Sequence, residues 1–576
     1  MASLALLFAP ATSAITGTLF LASYLLYKWL LPKPIPGIPY NPEAPTSLFG
    51  DIPAMIKHAN ESPEIINWFS NQNKRHASPI VQVFTSLFGR PAVVINDYRE
   101  TVDILQRRSA EFDKPDALTD VLYGIAPNFH ARFTKGDAWR SHRKLLQDLM
   151  TPAFLHGVAA PQVYQSFLDT TKLWSEKMRL SEGHAFAVKQ DIFYTGLEAI
   201  WAAVFGTNPA TVTRNQIDLL SRKEQIHLPA SLDQAAEFPQ ASAPPEFHAI
   251  LELTESIEKV GRSPFPKTLG FVQRWLPAGF RNLRIKEHFT RAEIAKAEVR
   301  MVSQDDDVKV SNAVDHMLRR EKLAAEKSHR RPAYQTKDMQ DELLGLLIAG
   351  HDTTATVLSW GVKFLEQNQA AQQKLRLELF RNTSSLAAAH AESRIPTAHE
   401  IATCQNHYLD AVIEETLRCA CTAGFLSRTS LTDTTILGHA IPKGTRIFCI
   451  GAGTLGVNHP AYPIDDSLRS VSSGSGKTRS WNEADMAHFD PSRWLAPDPV
   501  SGALIFDPHA GPHIAFGAGP RGCFGRKLAR LELRLALVLI VWQFALRPVG
   551  PAYAGMQARD QLTHNPIHCY VRLEKA

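Results

Sequence analysis

Ten residues near the C-terminus leave the backbone almost no choice. Phe516-Gly517-Ala518-Gly519-Pro520-Arg521-Gly522-Cys523-Phe524-Gly525 is too rich in glycine and proline for any helix or strand, and requires a tight irregular loop. A strongly periodic helix follows, from about Arg526 to Leu546. Cys523 therefore sits just ahead of a helix N-terminus, where unpaired N–H groups and the helix dipole favour an anionic sulfur. A thiolate on a rigid loop suits a metal ligand or a nucleophile. The plain alternative is a small core residue, which most lone cysteines are.

The remainder of the chain can surround a buried cofactor. Of its 576 residues 44% are hydrophobic and 21% charged, a globular balance that excludes a disordered or fibrous chain. Basic and acidic residues number 62 and 57, and a net charge of +5 is too even for a nucleic-acid binder. The six cysteines are too sparse for a disulfide scaffold and include no Cys-x-x-Cys pair for zinc, which points to a reducing compartment.

No Asp, Glu, Lys or Arg occurs from Met1 to Tyr27, a run longer than the ~20 residues of a membrane-spanning helix. Pro10 weakens the first turns, so Ala11 to Leu31 is the expected span. A cleaved signal would begin with basic residues and be shorter. Lys28 and Lys33 put the C-terminal bulk on the cytosolic side. Residues 1–31 are thus expected to form a single-pass anchor. Residues 32–45, with Pro32, Pro34, Pro36, Pro39, Pro42 and Pro45, read as an extended semi-rigid tether or a plain loop, and 46–576 as the main body.

Helical periodicity dominates that body, over Asp97–Ser109, Thr151–Leu180, Gly279–Lys322 and Asp338–Asn368. Strand patterns are short: Ile80–Thr85, Ala92–Ile95 and Thr445–Ile450. Glu321–Pro332 and Asp305–Asp307 read as solvated connections, and Ser467–Ser480 as a flexible insertion. Within Asp338–Asn368 an apolar run is broken by Ala349-Gly350-His351-Asp352-Thr353-Thr354, polar groups that need partners in a buried helix. For Thr353 the plain alternative is a hydrogen bond back to the preceding turn. Glu415 and Arg418, three apart, share a helix face, as do Trp139 and Arg143, four apart.

The pattern Phe-Gly-x-Gly-x-Arg-x-Cys-x-Gly resembles the heme-binding loop of the cytochrome P450 family. Its six fixed positions would arise by chance on the order of once in 10⁸ starts. The resemblance implies Cys523 as the axial thiolate of heme b, iron protoporphyrin IX, with Phe516, Gly517 and Ala349 against the cofactor and Arg521 on a propionate. It further implies propionate contacts from Trp139, Arg143 and Arg428, with His130 or Arg132 as an additional basic contact. Thr353 and Asp352 would support proton delivery during oxygen activation. Glu415 and Arg418, with Arg493 of Phe489-Asp490-Pro491-Ser492-Arg493-Trp494, would form a structural Glu–Arg–Arg cluster. These motifs, drawn from residues 45 to 570, imply one mainly α heme-thiolate catalytic domain with small β-sheets, behind a single N-terminal transmembrane helix. Cys419–Leu426 departs from the family's proline-rich segment, and the Ser467–Ser480 insertion is similar to that of filamentous-fungal members.

The function implied is monooxygenation: one atom of O2 enters a hydrophobic small molecule by hydroxylation or epoxidation, in secondary-metabolite biosynthesis. No nucleotide-binding glycine motif follows a predicted strand. Electrons would thus come from NADPH through NADPH–cytochrome P450 reductase, docking on a basic face of Arg140, Lys144, Arg526, Lys527 and Arg530. The expected location is the endoplasmic reticulum membrane, with the catalytic domain facing the cytosol. The pocket would involve Leu118–Phe133, Leu347, Ile348, Phe425, Leu426, Pro566 and Ile567. Two other readings share Cys523. One is a heme-thiolate isomerase or dehydratase without external electrons, against which Asp352-Thr353 argues. The other is a non-enzymatic heme-binding redox sensor.

Overall fold

The structure is a computed structural model that describes residues 2–86, 90–114, 119–206, 212–263, 265–302, 311–451, 464–475 and 486–576, with side chains of the first helix from Ala14 onward. That helix runs Ala2–Leu30 and leaves Leu19, Phe20, Leu25 and Trp29 exposed. Among the described residues no helix is long and apolar enough to cross a membrane. The proline-rich segment after it is docked along its length. Ile35 and Ile38 are buried in a sheet core, and the Gln82 amide donates to the carbonyls of both, at 2.8 and 2.7 Å. Prolines keep this backbone extended, and one buried glutamine satisfies it where a strand partner would.

The rest of the fold is mostly helical, and its centre is the helix Lys337–Gln367. Thr336 caps it by accepting the Met339 N–H, with Asp338 in the first turn, and Asn368 ends it. Helices Lys189–Phe205, His407–Ala420 and Arg526–Gln543 pack around it, so Leu343, Leu344, Leu347 and Ile348 are buried. A five-stranded sheet lies to one side, in spatial order Ile80–Val83, Ala92–Ile95, Arg446–Ile450, Phe425–Ser430, Phe112–Asp113. Its Ala92 and Arg446 strands run parallel and the other pairs antiparallel.

Several boundaries differ from the sequence pattern. Asp97–Ser109 becomes a short α-turn at Tyr98–Val102 and a widened π-helical turn at Asp103–Arg107, and a second π-turn at Leu155–Ala159 precedes helix Ala160–Ser181. The C-terminal helix stops at Gln543, and Phe544–Arg547 pairs with Tyr570–Lys575; the apolar run continues through the junction and conceals it. Gly279–Lys322 is two helices, Pro277–Val302 and Ala313–Lys327, and Asp305–Asp307 lies outside the described residues. The second helix runs well into Glu321–Pro332, which is therefore only partly a connection. In the described part of the Ser467 insertion, Arg469 is buried against Asp97 with contacts of 2.6 and 2.9 Å, while Ser470 and Ser472 bond Asp103. That part is fastened to the fold, because its serines and arginine find buried carboxylates.

Candidate active site

Residues 516–525 turn as their glycines require. Gly517 and Gly519 take φ of +64° and +66°, and a Cβ on Gly519 would stand 2.4 Å from the Leu105 carbonyl oxygen of the widened turn. The Cys523 N–H donates to the Phe516 carbonyl at 2.8 Å, closing the loop, and helix Arg526–Gln543 begins just beyond. Cys523 faces a cavity of about 460 Å³. Phe516, Gly517 and Arg521 line it from the loop, Ala349 and Thr353 from the central helix, Trp139 and Arg143 from helix Asp137–Leu146, and Arg428 from the sheet. Helix, sheet and loop thus bring to one chamber side chains up to 449 positions apart, from Lys114 to Thr563.

The charge on this wall is unbalanced. Lys114, Arg143, Arg428 and Arg521 line it, and among the described residues only Asp113 forms an ion pair with any of them, 3.5 Å from Arg521. Arg521 stacks on Trp139 at 4.8 Å, and its buried Nη1 has no hydrogen-bond partner among the described residues. Burial beside Arg521 and Arg428 pushes the Lys114 ammonium down to about 8. Buried and half-buried cations gathered in excess of their counter-charge favour an anionic occupant. A planar, apolar group with carboxylates at one edge fits, because the remaining walls are mainly hydrophobic. Burial also pushes the Cys523 thiol up, despite the Gly525 N–H and the nearby Lys114, Arg143 and Arg526.

Thr353 and Asp352 diverge. Thr353 faces the cavity with its hydroxyl donated back to Ala349 O at 2.8 Å, so the wall position and the back-bond coexist. Asp352 is buried outside the lining and accepts the Thr563 hydroxyl at 2.9 Å; burial raises its pKa. His351 is buried, its Nδ1 on Leu347 O at 3.1 Å.

Sequence reasoning missed three groups. Glu532, on the helix after Cys523, lines the cavity, where burial, offset in part by a hydrogen bond from Thr354, pushes its carboxyl up to about 8. Its signal was a charge among Leu528, Leu531, Leu535 and Ala536, on the apolar stripe. Glu342, within the apolar run of the central helix, binds His130 Nδ1 at 2.8 Å and His142 Nδ1 at 2.7 Å. Its burial favours the neutral acid, but the two imidazoles outweigh it and lower the pKa. Lys114 left no pattern. Of the two basic candidates, His130 lines the cavity, whereas Arg132 turns to Thr119 O and Asp120.

Glu415, Arg418 and Arg493 lie together apart from the cavity. Arg418 holds Glu415 through two 2.7 Å bonds, Arg493 stands 3.6 Å away, and Trp494 Nε1 and the Asp490 N–H donate to the same carboxylate at 2.9 Å. Several expected pocket residues fall outside the lining. Phe425 points away because strand alternation sends Leu426 and Arg428 to the cavity and Phe425 to Phe69 and Phe448. Leu347 is in the helix core, the hairpin contributes Leu562 and Thr563 in place of Pro566 and Ile567, and Leu118 lies outside the described residues.

A thiol on a rigid loop below an apolar chamber with a cationic edge defines the heme-thiolate class of site. The model of the cytochrome P450 family matches residues 41–458 and 479–552. The chain is 37% identical over 580 residues to cytochrome P450 monooxygenase TRI13 of Fusarium sporotrichioides, covering 96% of this chain and 98% of that one. It is 35% identical to cytochrome P450 monooxygenase GME11363 of Pestalotiopsis microspora, covering 98% and 99%. The fold matches the crystal structure of the cytochrome P450DA heme domain with a TM-score of 0.66 at 18% identity, over 94% of this chain and 98% of that one. The chain belongs to the cytochrome P450 family. It is an enzyme of the monooxygenase kind, as its full-length relatives are named.

Proposed function

We propose that the protein is a membrane-attached heme-thiolate monooxygenase that oxygenates an apolar secondary metabolite, with electrons from NADPH by way of a reductase. The observation that carries this reading is Cys523 at the floor of a largely apolar chamber edged by four cations with a single acidic partner among the described residues. Cys523 would ligate the iron, Arg143, Arg428, Arg521 and Lys114 would neutralise the propionates, and Trp139 and His130 would frame that edge. Heme b, when bound, supplies the oxygen-activating redox chemistry. Phe129, Ile200, Ile348, Leu426 and Leu562 exclude water and select an apolar guest, of polyketide or terpenoid type. Thr353 keeps a hydroxyl at the wall, and Asp352 holds a carboxyl one residue away. Glu415, Arg418 and Arg493 keep the framework behind the loop in place.

Attachment to the endoplasmic reticulum membrane, body to the cytosol, is supported by the uncharged start of the chain and by exposed Leu19, Phe20, Leu25 and Trp29. A second apolar patch, with Phe265, Phe271 and Trp275 exposed, adds to it. One experiment tests the whole: the dithionite-reduced, CO-bound spectrum of membranes from an expressing host, followed by NADPH-dependent turnover. The strongly red-shifted Soret band of a thiolate ligand should sediment with the membranes, and removal of residues 1–31 should release it. A histidine-type band in folded protein would refute the heme-thiolate assignment, and unchanged sedimentation of the truncated chain would refute the anchor.

The reductase face reduces to fewer residues than expected. Arg530 is neutralised by Glu414 at 2.7 Å and Arg140 by Asp137 at 2.6 Å, whereas exposed Lys144, Arg526 and Lys527 have no acidic partner among the described residues. Reversing Arg526 and Lys527 to glutamate should raise the apparent reductase KM several-fold at low salt, and less at high salt. An unchanged KM would remove this face from the docking site.

A further inference from the structure

Asp352 turns away from the cavity, yet it is bonded to a residue that lines it. Thr563 sits in the hairpin between strands Ala558–Asp560 and His564–Pro566. Thr563 and Leu562 are both wall residues. The Thr563 hydroxyl lies 2.9 Å from Asp352 Oδ2, 2.8 Å from Thr356 Oγ1 and 2.9 Å from Asn565 Nδ2. Thr356 Oγ1 in turn lies 3.0 Å from Asn565 Oδ1. Thr356, Asp352, Thr563 and Asn565 are all at least nine-tenths buried, with exposures of 0%, 8%, 5% and 2%.

Proton counting shows what this arrangement permits. With Asp352 ionised, Thr563 donates to the carboxylate and accepts from the Asn565 amide, while Thr356 donates to Asn565 Oδ1. With Asp352 protonated, the acid donates to Thr563, Thr563 donates to Thr356, and Thr356 still donates to Asn565 Oδ1. Only the Thr563 hydroxyl rotates, and no heavy atom moves. A buried carboxyl normally finds one of its two states unsatisfied and costly; this one is satisfied in both. The other charged or titratable groups facing it are His351 on its own helix and Lys189 on helix Lys189–Phe205. Lys189 also donates to Pro566 O of the same hairpin, at 3.2 Å.

We infer that Thr563 is a positioning residue for Asp352: its reversible hydroxyl lets the buried acid take up and release a proton, and it ties that acid to the hairpin a bound substrate touches. This rests on the monooxygenase reading for its use in the reaction, but the positioning itself does not.

The experiment compares T563V and T563A, which lose the hydroxyl, with T563S, which keeps it, and with D352N and D352N/T563V. The first readout is infrared difference spectroscopy of ferric protein labelled at the aspartate carboxyl. The Asp352 band, identified by its loss in D352N, should shift in T563V and T563A and stay in place in T563S. The second is basal NADPH oxidation by the reductase-reconstituted enzyme without added substrate. It should fall roughly 10-fold in T563V with a larger solvent deuterium isotope effect, remain within about twofold in T563S, and fall no further in D352N/T563V than in D352N. An unshifted band in T563V and T563A, or additive losses in the double variant, would overturn the inference. A wild-type enzyme without the thiolate spectrum would instead defeat the monooxygenase reading, and the infrared comparison would still decide the role of Thr563.

Discussion

Cys523→Ser abolishes the red-shifted CO band and lowers NADPH-dependent oxygenation by at least about 10³-fold, equivalent to ~4 kcal/mol of barrier. That is the expected result, because serine leaves the loop intact. The Cys523 N–H bond to Phe516 and the positive-φ glycines do not involve the side chain, so the fold persists while the only thiol among the cavity-lining residues disappears. The basic edge of Lys114, Arg143, Arg428 and Arg521 also persists. Some heme should therefore still bind, giving a spectrum without thiolate character. Heme content by pyridine hemochrome, beside the CO spectrum, separates loss of the ligand from loss of the cofactor. A red-shifted band surviving in the serine variant would show that another residue supplies the sulfur.

The second large effect is on folding. In Arg418→Ala, Glu415 keeps its burial, with no side-chain exposure, but loses the bidentate partner at 2.7 Å. Breaking one side of a buried pair costs about 3–5 kcal/mol, a large part of the ~5–15 kcal/mol that holds a domain together. The variant should accumulate as insoluble or heme-free protein, with a urea midpoint far below that of the parent. Arg418→Lys should rescue it poorly, since an ammonium cannot reproduce the two-bond fork. The comparison is Arg140→Ala: its partner Asp137 is almost wholly exposed, and such a pair contributes no more than about 1 kcal/mol. Equal midpoints for the Arg418 and Arg140 alanine variants would dismiss the buried cluster as a stabilising element.

The loop around Cys523, the long central helix and the Glu415–Arg418 spacing were legible because each is local. Glycines that force turns, apolar residues at helical intervals and a charge pair three apart all act within a few residues of one another. The same locality explains the failures. The helix over Ala313–Lys327 extends into a charged run that reads as solvated, and the Ser467 segment is held by Asp97 and Asp103, some 370 positions away. Pattern reasoning placed Phe425 and Leu347 in the pocket because they neighbour true wall residues, and only the facing of strand and helix separates them.

By itself the sequence determined where the chain must turn sharply, which helix must be buried through its middle, and which sulfur stands at a helix entrance. Tertiary structure decided the rest of the site. It placed His130 and not Arg132 on the cavity wall, gathered cations from four separate segments around fewer acids, and turned Asp352 away from the cavity onto Thr563. The physical reason is range. Backbone conformation is set by neighbours in the chain, whereas desolvation and charge depend on whatever folding brings within a few ångströms.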